Sequence, residues 1–190
     1  MVTWALLAAW LQVVSTGSRG MQDLVERGRT IDQFAGAANV QRDRWLKNVA
    51  DASAPPELVA RLARVGKGLQ ILAVAEDWCP DSVNTIPYLA ALASRAGIDF
   101  RIVQREDGAS LMNRHRAPDG RTVTPTVVLI RDGNDVGAWI ERPAVLQKLL
   151  QSMAQNPDAA RRFADRQSWY DEDRGRTTMV EFVARAERSK

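Results

Sequence analysis

The stretch Leu69-Gln70-Ile71-Leu72-Ala73-Val74-Ala75-Glu76-Asp77-Trp78-Cys79-Pro80-Asp81-Ser82 decides the fold. Its first seven residues form a short apolar run bounded by Gly66 and Gly68 on one side and two acids on the other. That pattern predicts a buried strand. From Asp81 the period changes, and Val83, Ile86, Leu89, Ala90 and Ala93 recur at helical spacing until Gly97. Pro87 lies inside this helix and predicts a kink. Cys79 therefore stands where a strand hands over to a helix. There it faces unpaired backbone N–H groups and the positive end of the helix dipole, and both favour a thiolate. Glu76, Asp77 and Asp81 oppose it by like charge. The expectation is a modestly activated thiol.

Reading outward, Ile98 to Val103 is a second strand and Ala109 to Arg116 a short helix. Thr126 to Ile130 is β-branched and apolar, a third strand. Asp132-Gly133 is a hairpin turn signal, which makes Val136 to Ile140 an antiparallel fourth strand. Pro143 opens a helix carrying Leu146, Leu149, Leu150 and Met153. Upstream, Thr30 and Gln33 have the spacing of a capping box. Helical patterning continues through Phe34, Trp45, Leu46 and Val49. Pro55-Pro56-Glu57 starts a helix that buries Leu58, Leu62 and Val65. The tail after Asn156 is polar and helical, with Phe163, Trp169, Met179, Phe182 and Val183 as packing residues. The order βαβ then ββα, with helices at both ends, predicts an α/β fold. It has a mixed four-stranded sheet, helices on both faces, and extra N- and C-terminal helices.

Composition narrows the chemistry. The chain has 190 residues with a single cysteine, so no internal disulfide, multi-cysteine zinc site or self-contained Cys-X-X-Cys pair can form. Hydrophobic and charged contents of 45% and 26% are those of an ordinary globular protein. The net charge is only +3, and the Arg114-His115-Arg116 and Arg161-Arg162 clusters read as solvated helix faces. No nucleic-acid-binding motif accompanies them.

Five features together resemble the thioredoxin superfamily, in particular bacterial thioredoxin-like proteins with a Trp-Cys-X-Asp-Cys type of site. Trp78-Cys79 follows an apolar strand, and Pro87 comes eight positions later. Thr124-Pro125-Thr126 precedes the third strand, in the place of the family's cis-proline loop. Asp132-Gly133 turns the hairpin, and Trp139-Ile140-Glu141-Arg142-Pro143 leads into the last core helix. The likeness runs from about Leu69 to Gln151. It implies a thioredoxin-like core over 69–155, a helical N-terminal region over 21–68 and a helical extension over 156–190. It also implies a cis peptide bond at Pro125, with the Thr124 backbone free to pair with an extended substrate.

Two departures qualify what the likeness implies. Ser82 stands where the family has its second cysteine, and a hydroxyl cannot resolve a mixed disulfide. Ala73, six residues before Cys79, stands where many thioredoxins keep a buried acid for proton transfer. The sequence thus supports a monothiol oxidoreductase in which Cys79 attacks a disulfide or mixed disulfide of a protein substrate. Ser82 donates a hydrogen bond to the thiolate, and Trp78, Pro80, Asp81, Thr124 and Pro125 contact the substrate. No resident cofactor or metal is expected, with glutathione or another small thiol as reductant and co-substrate. The alternative is a binding or adaptor module on the same fold. An iron–sulfur carrier would need ligands from a second chain and glutathione. Cys79-Pro80-Asp81-Ser82 also differs from the usual carrier motif at its two middle residues.

His115, the only histidine, is expected at the surface, and Glu141-Arg142-Pro143 is read as a turn and helix start without chemistry. Arg105, Glu106 and Asp107 read as a solvated loop. Met1 to Val14 is almost wholly apolar, with Arg19 the first charged side chain. The run is shorter than the roughly 20 residues of a membrane span. It reads as a packing helix, a weak export signal, or an extension ahead of a start at Met21. The expectation is a cytoplasmic protein with residues 1–20 dispensable, export or membrane association through residues 1–14 being the alternative.

Overall fold

The computed structural model describes residues 20–154 and 157–189. The expectations for residues 1–14 lie outside them. Helix α1 covers residues 20–27. It is followed by α2 (Ile31–Ala37), α3 (Arg42–Asp51), α4 (Pro56–Val65), β1 (Leu69–Val74), α5 (Pro80–Arg95), β2 (Asp99–Val103) and α6 (Ala109–Arg114). Then come β3 (Thr126–Arg131), β4 (Asn134–Ile140), α7 (Ala144–Ser152), α8 (Ala159–Asp173) and α9 (Arg176–Arg188). The strands form one sheet in the order β2-β1-β3-β4. β1 runs parallel to β2, whereas β3 is antiparallel to both β1 and β4. The expected mixed four-stranded α/β sheet is therefore present, with helices on both faces. Among the described residues no helix is long and apolar enough to cross a membrane.

The continuous apolar character of β1 and β3 follows from burial on both sides. Ile71, Ala73, Val127 and Leu129 enter one cluster with α2–α5 and α9. Their neighbours Leu72, Val74, Val128 and Ile130 enter a second cluster with Met21, Val25, Leu111 and Met112. The period of two along a strand sends alternate side chains to opposite layers. Trp45, Leu62 and Phe182 are fully buried in the first cluster, so the flanking helices share their core with the sheet.

Local chemistry sets the element ends. Thr30 and Gln33 form the full capping box at the start of α2. Asp132 and Gly133 both take positive φ, 50° and 77°, as a two-residue hairpin turn of the primed type requires. On the outer edge of β2, Arg29 exchanges two backbone hydrogen bonds with Ile102, which covers part of that edge.

Helix α5 is the pivot of the fold and is buried along most of its length. Pro87 has no N–H, so the Val83 carbonyl one turn earlier is left without its helical donor. The buried Asn48 side chain on α3 donates to it at 2.8 Å. A polar residue inside the core is thus explained by a proline on a neighbouring helix.

Some packing expectations are corrected. Phe163 is half exposed, with the Arg166 guanidinium over its ring, and Leu46 and Leu149 are exposed as well. Tyr170, not singled out from the sequence, is the buried aromatic of α8. His115 is mostly buried, and its Nε2 meets Asp135 Oδ2 at 2.7 Å. Burial alone would push the Asp135 carboxyl up, but hydrogen bonds from His115 and Arg114 outweigh it and hold the group below its ordinary range.

Candidate active site

Cys79 is the N-cap of α5: its carbonyl accepts from Val83 N–H at 3.1 Å, and Pro80 fills the first turn. Proline fits there because that N–H has no helical partner in any case. The thiol is 5% exposed, and its S–H donates to the Thr124 carbonyl at 3.1 Å. The Thr124–Pro125 peptide bond is cis. Pro125 is tied to the end of β4 through Glu141 N–H, which donates to the Pro125 carbonyl at 2.8 Å. Trp78, half exposed, stands beside the otherwise buried thiol. The geometry thus brings Trp78, Cys79, Pro80, Thr124 and Pro125 to one place, where the chain between β1 and α5 meets the start of β3.

Two of the three carboxylates near the thiol are engaged in holding the loop. Asp77 Oδ2 accepts the backbone N–H groups of Asn39 and Val40 at 2.7 and 3.0 Å. Trp45 Nε1 and Gln41 Nε2 donate to the carbonyls of Asp77 and Trp78 at 3.0 and 2.8 Å. Glu76 Oε1 accepts Arg105 N–H at 2.7 Å, so the loop at 105–107, exposed as expected, has its backbone anchored beside the site. The segment before Cys79 is therefore clamped from the α2–α3 side and from the end of β2.

Asp81, grouped with the substrate contacts on sequence grounds, lies buried with both oxygens taken. Arg142 donates to Oδ2 from Nε and Nη2 at 3.1 and 2.6 Å, and the Tyr170 hydroxyl donates to Oδ1 at 2.8 Å. Burial, and then the negative charge of Asp81, push the Tyr170 hydroxyl far above its ordinary value, so it remains a donor. Arg142 also reaches Glu141 at 2.6 Å, and Arg121 lies 3.6 Å from the same carboxylate. The acid two residues beyond Cys79 is thereby neutralised by a cation delivered from the β4–α7 turn.

Ser82 is wholly buried, and its Oγ has no hydrogen-bond partner among the described residues. The thiol bonds to Thr124 rather than to this hydroxyl. Ala73 is fully buried in the core cluster. Among the described residues no three His, Cys, Asp or Glu side chains gather as metal ligands.

Sequence reasoning missed Arg142, Tyr170 and Gln41. Arg142 lay inside a quoted motif, but its partner is 61 residues away and no local pattern links the two. Tyr170 is 89 residues from Asp81, in a polar helix where the sequence points to Phe163 and Trp169 rather than Tyr170 as the packing residues.

Comparison with known proteins agrees with this fold. A thioredoxin family model matches residues 28–159. Among solved structures, a protein of unknown function from Pseudomonas aeruginosa is similar at 19% identity and a TM-score of 0.67. That match covers 88% of this chain and 96% of the other. An HIV epitope-scaffold of the 4E10 type is similar at 18% identity and a TM-score of 0.64, over 87% of this chain and 96% of its own. No curated protein matches the chain.

Proposed function

This chain belongs to the thioredoxin family, and on that premise we propose that it is a monothiol thiol–disulfide oxidoreductase acting through Cys79. The observation that carries the reading is the contact of the thiol with the Thr124 carbonyl at 3.1 Å, beside an exposed Trp78. An extended substrate strand that pairs with the Thr124 backbone brings an N–H to that same carbonyl. It competes with the S–H for the acceptor, so docking loosens the thiol where the scissile disulfide arrives. The Arg142–Asp81 pair neutralises one of the acids close to the thiol.

The thiolate attacks one sulfur of a protein–glutathione mixed disulfide. A bond forms between Cys79 and the glutathione sulfur, the old S–S bond breaks, and the protein thiolate leaves and takes a proton. A second glutathione then attacks the Cys79 adduct, releasing glutathione disulfide and restoring the thiol. Because Ser82 cannot resolve the adduct, this step is bimolecular and lacks the rate advantage of a tethered partner. Turnover of a glutathionylated peptide should rise with glutathione concentration and vanish in Cys79→Ser. Absence of any Cys79-dependent turnover would refute the proposal.

A second reading, a peptide-binding adaptor without turnover, is favoured by one observation: the thiol is almost wholly buried while Trp78 is open to solvent. Partners captured equally by wild type and Cys79→Ser, with and without reductant, would select it.

A further inference from the structure

One cavity lies apart from Cys79, which is not among its lining residues. It occupies about 750 Å³ along the outer edge of β4, walled by that strand, α7 and the end of α9. This is the size of a small-molecule pocket. Its floor is apolar, with Trp139, Ile140 and Ala184, and cationic side chains line it.

Three observations distinguish it from an ordinary surface groove. The first is charge. Arg116, Lys148, Arg185 and Arg188 line the cavity, and none has a carboxylate partner among the described residues. Of the acids there, Asp119 is paired with Arg121 and Glu141 with Arg142. Glu181 is held by neutral donors, Trp139 Nε1 at 3.1 Å and Ala144 N–H at 2.8 Å. The balance leaves a cationic excess facing an apolar floor.

The second is a seat for one of these cations. The Arg185 guanidinium lies against the backbone of Gly137, which has φ +145°. A Cβ on that glycine would come within 2.7 Å of Arg185 Nη2. The strand therefore leaves out a side chain where the guanidinium sits. The third is unsatisfied polarity: two residues that line the cavity, Arg185 and Gln147, each carry a buried polar atom, Nε and Oε1, without a partner among the described residues. Buried polar groups are nearly always bonded, so a donor and an acceptor left over on two side chains of one cavity wall would each gain a partner by turning toward a ligand.

We propose that this cavity binds a small organic anion, an apolar body lying on Trp139 and Ile140 with a carboxylate or phosphate held by Arg185. Arg116, Lys148 and Arg188 supply the attracting field at the rim, and Gln147 accepts a hydrogen bond from a polar group on the ligand. The inference does not depend on redox activity at Cys79.

The test titrates the full chain with 1-anilinonaphthalene-8-sulfonate and with N-phenyl-1-naphthylamine, which has the same rings without the charge. The expected result is saturable one-to-one binding of the sulfonate, with the neutral compound at least about tenfold weaker. Arg185→Met should weaken sulfonate binding about tenfold or more and leave the neutral compound unaffected. Octanoate should displace the sulfonate where octanol does not, and octyl phosphate against octanoate tells phosphate from carboxylate ligands. Equal binding of the two dyes, unsaturable binding, or no effect of Arg185→Met overturns the proposal. If Arg185→Met does not fold, Lys148→Met with Arg188→Met on the exposed rim takes its place, with an expected loss of about threefold or more. An unchanged affinity in that double variant then overturns the proposal as well.

Discussion

Replacing Arg142 by methionine tests the buried pair that supports the candidate site. Arg142 and Asp81 side chains are 15% and 5% exposed, and the shortest contact between them is 2.6 Å. Removing one partner of such a pair leaves a buried charge behind, at a cost of about 3–5 kcal/mol. Two features move the expectation to the lower end. Tyr170 continues to donate to Asp81, and Asp81 lies in the first turn of α5, where the helix dipole favours an anion by up to about 1 kcal/mol. The expected loss is about 3 kcal/mol, read in urea as a lower midpoint with an unchanged slope. For a chain of this size it corresponds to a fall in Tm of about 6–12 °C. Iodoacetamide alkylation of Cys79 should slow in the same variant, because an uncompensated carboxylate two residues away disfavours the thiolate. Adding Asp81→Asn should recover more than half of the stability and restore the alkylation rate. A single-variant loss below about 1 kcal/mol, or a double variant no better than the single, would refute the reasoning.

Other outcomes follow from the same structure. Asn48→Leu strands the Val83 carbonyl that Pro87 leaves free, and should cost about 1–3 kcal/mol in urea unfolding. Asp135 has its carboxyl held below the ordinary 3.8, so its contribution to stability is present above that value and is lost as pH falls through the lowered one. Asp135→Asn should accordingly be less stable at neutral pH and show a flatter acid limb in thermal melts between pH 5 and about pH 2. Ser82→Cys should add a resolving thiol three residues from Cys79 and convert the protein to a dithiol reductase of insulin. If no insulin reduction appears in the folded variant, the geometry attributed to the thiol site is wrong.

The sheet and its order were legible because local signals agreed with one another. The apolar run at Leu69, the Asp132-Gly133 turn and the β-branched Thr126–Ile130 segment each encode a strand or a turn within a few residues. Cys79 at a helix start and the cis bond before Pro125 were likewise carried by short motifs. What sequence reading missed is long-range polar pairing. Nothing near Arg142 announces Asp81, and nothing near Asn48 announces the carbonyl freed by Pro87. The exposed face of Phe163 against the buried Tyr170 shows the same limit. In a polar helix, composition does not say which aromatic turns inward, because that depends on where the helix docks.

The proposed function requires Cys79 to open disulfides without being able to finish the exchange alone. Intact-mass measurement after incubation with a glutathionylated peptide tests this directly. The account predicts a single adduct of one glutathione on Cys79 that persists after excess peptide is removed and disappears on addition of free glutathione. No adduct on the folded wild type, or an adduct formed equally on Cys79→Ser, would contradict it.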